Sequence, residues 1–149
     1  MMKRLHPLAG MTALFTILLF WLATVTSELS GSAALIACVK QAIPWGLLLL
    51  VPALALTGAS GFSQAGASTD LRIRAKKRRM PFIAGNGLLI LVPCALYLAS
   101  LAGRGDFGTV FYLVQGLELA AGALNILLMS LNLRDGLHLT GRLTGRLSG

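Results

Sequence analysis

The positions of the basic residues constrain this chain more than any other feature. Of thirteen Lys and Arg, eleven fall in three segments that alternate with four long apolar runs, at 8–26, 33–57, 81–102 and 108–133. Crossing a hydrocarbon core of about 30 Å takes about 20 helical residues at 1.5 Å rise, and each run is near or above that length. The pattern predicts an all-α integral membrane four-helix bundle, with residues 1–149 forming a single membrane domain. Connections of only five or six residues, at 27–32 and 103–107, make spans one and two, and spans three and four, two antiparallel hairpins.

Lys3 and Arg4 precede the first span. Arg72, Arg74, Lys76, Lys77, Arg78 and Arg79 occupy the loop 58–80, and Arg134, Arg142 and Arg146 lie in the tail 134–149. The two short connections hold Arg104 alone. Because Lys and Arg are retained on the cytoplasmic side, both termini and the long loop are expected there. A cleaved signal peptide is the competing reading of residues 1–27, but its apolar stretch exceeds the usual run of about 7 to 15 residues, which favours a retained helix.

Composition agrees. With 56% apolar and 12% charged residues, too few polar side chains remain to coat a soluble globule of this size. The net charge of +8 does not read as a nucleic-acid surface, since the cations flank apolar spans and are not interleaved with aromatic residues. Anionic phospholipid headgroups are the expected partner of Arg72, Arg74, Lys76, Lys77, Arg78 and Arg79. Cys38 and Cys94 form no CxxC and indicate neither a disulfide scaffold nor a structural zinc site; both are expected to pack as small apolar residues.

Within the loop, the Gly- and Ser-rich stretch 58–69 reads as a flexible linker, and Pro81 is expected in the first turn of the third helix. Pro44, Pro52 and Pro93 withdraw the helical donors from the carbonyls of Lys40, Leu48 and Leu89, which predicts kinks and free acceptors. Trp45 is expected to pack at such a kink, and Glu28, Arg104 and Asp106 to be solvated.

The fourth span carries Gln115, Glu118, Gly122, Asn125, Met129 and Asn132 at alternating spacings of three and four, which places them on one helical face. Leu117, Leu124, Leu127, Leu128 and Leu131 take the other. Amides and carboxylates are costly against acyl chains, so the polar stripe must face the bundle interior. Glu118 falls near the bilayer midplane, where a charge costs at least about 2.5–3.5 kcal/mol. Protonation, a cation or water can relieve that cost. Lys40 is the cation within reach, and it has two available fates: pairing with Glu118, or snorkelling to the outer headgroups. Asn86 and Asn125 come out at similar depth and are expected to bond helices together. His6 and His138 are the imidazoles available to ligate haem b, with Met80 as a substitute ligand.

The runs RLHPLAG at 4–10, FWLATVTSE at 20–28 and NLRDG at 132–136 together resemble small four-helix inner-membrane proteins of Gram-negative bacteria. That resemblance covers most of the chain and implies a multi-pass protein of the bacterial inner membrane. It carries no activity and no functional residue. Small multidrug exporters also have four helices and one membrane carboxylate, but theirs lies in the first helix, which here has no carboxylate before Glu28.

The chain therefore reads as a non-enzymatic membrane protein with an internal polar site of Glu118, Lys40, Gln115, Asn125 and Asn86, used in proton- or cation-linked transport. Two further readings stand beside it. One is an accessory subunit whose stripe packs against a second copy or a larger membrane protein; the other is a haem-binding redox protein.

Overall fold

A computed structural model of the chain describes residues 2–65 and 71–139, without the side chains of 2–5, 61–65, 72 and 139. Arg142 and Arg146, and the side chains of Lys3, Arg4 and Arg72, thus lie outside the described residues. The chain is all helical: α1 (Met2–Ser30), α2 (Ala33–Ala65), α3 (Leu71–Asn86), a π turn (Gly87–Leu91), α4 (Val92–Gly103) and α5 (Thr109–Leu139). No strand interrupts them among the described residues. Because α3, the π turn and α4 run on without a break, the bundle has four rods. Each holds a stretch long and apolar enough to cross a membrane, His6–Ser30, Ala33–Ser60, Ile73–Gly103 and Thr109–His138, with mean hydropathy from 1.5 to 2.1. This is a multi-pass membrane protein.

The hairpin turns show why glycine stands where it does. Gly31 (φ 66°) and Gly105 (φ 69°) take the left-handed conformation that ends a helix without a Cβ penalty. Gly31 N–H donates to Glu28 O at 3.0 Å, and Gly105 N–H to Ala102 O at 3.1 Å, satisfying carbonyls at the two helix ends. Asp106 Oδ1 then accepts from Gly108 N–H at 3.3 Å just before α5 begins. Helix α1 packs along α2, α2 on α3 and α4, and α5 on α3, α4 and α1, which closes the four rods into a ring. One end of the bundle carries the two hairpin turns. The other carries the start of α1, the end of α5 and, among the described residues, Arg74, Lys76, Lys77, Arg78, Arg79 and Arg134.

A core of Ala13, Ile17, Ile43, Leu47, Leu91 and Met129 fills the middle. A second cluster, Ile36, Leu98, Leu101, Ala102 and Phe111, fills the hairpin end, where Phe107 meets Phe111 edge-on at 5.1 Å.

Four expectations need correction. The segment 58–80 is largely helical: α2 extends to Ala65 and α3 starts at Leu71. Pro81 consequently sits ten residues into α3 instead of in its first turn. Lys and Arg are good helix formers, and the buried Met80 and Ile83 anchor this stretch on the bundle. Pro81 itself is exposed near the basic end, where its missing donor harms least.

The kink expected at Pro93 takes the form of the π turn, in which Val92 N–H donates five residues back to Gly87 O, carrying the chain past the proline ring. Trp45 is 76% exposed and packs in no kink. The core row of α2 runs 36, 40, 43, 47, 50, and position 45 falls between its members, on the outer face. Cys94 is buried as expected, but Cys38 is exposed.

Candidate functional site

The stripe on α5 faces inward. Gln115, Gly122, Asn125, Met129 and Asn132 are buried, while Leu117, Leu124 and Leu127 lie exposed on the opposite face. Helix period puts these residues on one side, because successive steps of three and four return to it, and the cost of polar groups against acyl chains turns that side inward. The polar groups meet partners from the other rods in three tiers.

In the tier nearest the hairpins, Lys40 of α2 is 0% exposed, and its Nζ is paired with Glu118 Oε2 of α5. The ammonium also donates to Thr24 Oγ1 of α1 at 3.4 Å, so three helices build the centre. Snorkelling is overturned. Lys40 belongs to the core row of α2, about 10 Å along the axis from Ala33, and Glu118 lies about 14 Å from Thr109. That small depth difference is within the reach of a lysine stem, and the carboxylate offers charge neutralisation that acyl chains do not.

A crevice of about 40 Å³ opens beside the pair, lined by Trp21, Thr24, Leu47, Ala95, Glu118 and Gly122. Trp21 Nε1–H donates to Leu119 O at 2.9 Å, which holds the indole against α5 at Gly122. One turn from Glu118, Gln115 is 4% exposed and its Oε1 has no hydrogen-bond partner. Glu28 is a further correction: expected to be solvated, it has a buried Oε1 with no hydrogen-bond partner.

The middle tier bridges α3 and α5 beside the π turn. Asn86 Nδ2–H donates to Asn125 Oδ1 and to Ala121 O, both at 2.8 Å. The fully buried Asn125 donates in turn to Ile83 O at 3.3 Å. Amide orientations here follow from the donors and acceptors around them. The interhelical donors described, Trp21, Asn86 and Asn125, use the carbonyls of Leu119, Ala121 and Ile83, and not those expected to be freed by the prolines.

At the basic end, the buried Asp135 accepts from Arg79 Nη1 at 2.7 Å and lies 3.6 Å from Arg134 Nη2. Arg79 also reaches Asn132 Oδ1 at 3.4 Å. Lys76 Nζ donates to His6 Nε2 at 2.9 Å, and His6 Nδ1–H donates to Ser60 Oγ at 2.9 Å. The six-residue basic run thus divides. Arg74, Lys77 and Arg78 are exposed, Lys76 and Arg79 are partly buried and reach His6 and Asp135, and Arg72 has no described side chain. Asp135 escaped notice in the sequence, although it stands three residues beyond Asn132 and continues the stripe.

Haem does not fit this end. Both ring nitrogens of His6 are engaged, by Lys76 and Ser60, which leaves no lone pair for iron, and no described contact joins His6 to His138. Among the described residues no three His, Cys, Asp or Glu side chains converge on a metal-sized space.

The Lys40–Glu118 pair therefore has the strongest claim to chemistry. It is a charge pair that a single proton on the carboxylate dissolves, leaving an ammonium in the interior that must move, shed its own proton or find water. Compared with models of known families, with curated proteins and with solved structures, the chain finds no match.

Proposed function

We propose that this is a protein of the bacterial cytoplasmic membrane in which the Lys40–Glu118 pair is a proton-exchange site for proton-linked transport, with both termini and the α2–α3 connection in the cytoplasm. The observation that carries the proposal is a fully buried ammonium paired with a membrane carboxylate at the edge of a water-sized crevice. One water needs about 10–15 Å³ of such space, whereas organic ligands occupy pockets of about 300–1,000 Å³. A crevice of about 40 Å³ admits a proton carried by water and excludes an organic cation.

The polar tiers are not joined in this conformation. Glu118 and Asn125, and then Asn125 and Asn132, are each seven residues apart on α5, about 10.5 Å, a gap no single hydrogen bond of about 3 Å spans. Gly122 and Met129 occupy the gaps. Transfer across the bundle then requires a second conformation, and the π turn, whose Leu91 packs toward Gly122, is the point at which the third rod can shift.

Trp21 provides the test, because its indole lines the crevice while Trp45 faces outward and can be removed. In a Trp45→Phe background, acidification from about pH 8 to about pH 4 should change Trp21 emission. Adding Glu118→Gln should abolish the change. If both proteins respond alike, the carboxylate is not the proton site and the accessory-subunit reading takes its place.

Orientation has its own check, resting on the basic asymmetry of eleven to one. Reporter fusions at Ser63 and at the C-terminus should both report cytoplasm. Activity in the periplasm from either fusion overturns the topology.

A further inference from the structure

A second site, independent of the ion pair, lies on the surface near the basic end. Helix α3 and its π turn form one wall of a groove of about 1340 Å³, and Leu124 and Leu128 of α5 form the other. Along α3, Arg74, Arg78, Phe82, Gly85 and Leu89 follow at steps of four, four, three and four, so a cationic end passes directly into an apolar stretch on one helical face. Lys77 joins the cationic end. From Pro81 to Ile90 the apolar part runs nine residues, about 13.5 Å, close to the roughly 15 Å depth of one leaflet.

We propose that this groove binds one two-chain anionic phospholipid of the leaflet at the basic end, its phosphate held by Arg74 and Arg78 and one acyl chain laid along Phe82, Leu89 and Leu124. Arg79, although it lines the groove, is committed to Asp135. The volume exceeds the range of about 300–1,000 Å³ usual for compact metabolites and suits an elongated ligand. Charge argues against a second copy of this chain. A symmetric dimer through the groove would set Arg74, Lys77 and Arg78 of one copy against the same residues of the other. A lipid phosphate neutralises the cations instead of multiplying them.

Gly85 makes the site testable without disturbing the fold. A Cβ there would meet no atom within 4 Å, so a larger side chain enters open groove, and loss of a mid-helix glycine favours the helix. The purified protein in non-ionic detergent is titrated with phosphatidylglycerol or with phosphatidylcholine of the same chains, and bound lipid is counted by native mass spectrometry. Phosphatidylglycerol should form a one-to-one adduct that excess inorganic phosphate does not displace. Arg74→Gln/Arg78→Gln should weaken it about thirtyfold, the effect of two cations near a lipid surface.

Gly85→Leu should abolish the adduct while the lipid-free melting temperature holds or rises. Equal binding of the two lipids, displacement by phosphate, or wild-type binding by both variants would overturn the site. A dimer that Gly85→Leu splits into monomers would assign the groove to a second copy instead.

Discussion

Glu118→Leu should cost the bundle about 3–5 kcal/mol, and adding Lys40→Met should recover most of that loss. The fully buried ammonium draws its neutralising charge from Glu118, and its other described partner, Thr24 Oγ1, is a neutral acceptor at 3.4 Å. Removing the carboxylate strands a charge in a medium that solvates it poorly. Glu118→Gln should be milder, since an amide oxygen still accepts from Nζ. Lys40→Met should also be milder than Glu118→Leu, because the carboxylate left behind borders the crevice and can take water or a proton. Unfolding curves in mixed micelles for the four proteins give the coupling directly. Strict additivity in the double variant would mean that the two residues do not stabilise each other and that the contact is incidental.

That experiment concerns stability, and the Trp21 titration concerns proton exchange; the two can separate. A strongly coupled pair with a silent Trp21 would make Lys40–Glu118 a structural lock between α2 and α5. Strong coupling together with a response that Glu118→Gln abolishes would mean that the same pair both holds the bundle and releases it on protonation. Buried ion pairs add little stability relative to apolar replacements, so the recovered stability of the double variant would itself suggest that the pair is kept for a use other than cohesion.

How much of this was legible in the sequence differs from residue to residue. The four rods follow from hydropathy length, because backbone groups in lipid must be satisfied within a helix and leave few alternatives. The inward stripe follows from helix period, and Glu118 and Lys40 stood out because a charge at that depth demands relief. Local rules failed where tertiary contacts outweighed them. The stretch around Gly58 reads as linker by composition, yet α2 carries on through it and on to Ala65, since Ser60 has a partner in His6.

The division of Lys76 and Arg79 from Arg74 and Arg78 was in principle readable from the period set by the buried Met80 and Ile83. Lacking that anchor, the basic run looked uniform. Trp45 is a misreading of the same kind, since its distance from Lys40 places it outside the core row. The π turn had no legible signal beyond Pro93, because a proline specifies a missing donor and not the way the chain accommodates it.

Gly46→Ala should destabilise the protein by about 1–3 kcal/mol, a large effect for one methyl group. The far end of the Phe20 ring of α1 abuts α2 there, so an added Cβ would fall 2.1 Å from Phe20 Cζ and 2.6 Å from Cε1. Rotation about χ2 gives no relief for the closer contact, because Cζ lies on the rotation axis. The ring must swing at χ1, or the helices must separate. A swing at χ1 drives the ring against Ile17, Leu47 or the crevice that Phe20 helps to line.

In a membrane bundle, where lipid is as apolar as the core, close approach at small residues supplies much of the cohesion, so a forced separation is not made good elsewhere. Gly116→Ala is the control, since a Cβ at Gly116 meets no atom within 4 Å and the change should be neutral or stabilising by about 0.5–1 kcal/mol. Phe20→Leu should rescue Gly46→Ala by withdrawing the colliding ring. Equal stability of the Gly46 and Gly116 variants would show that α1 and α2 do not pack this closely. The crevice beside Glu118 would then be wider than one suited to a water, and its size would no longer favour a proton over a larger cation.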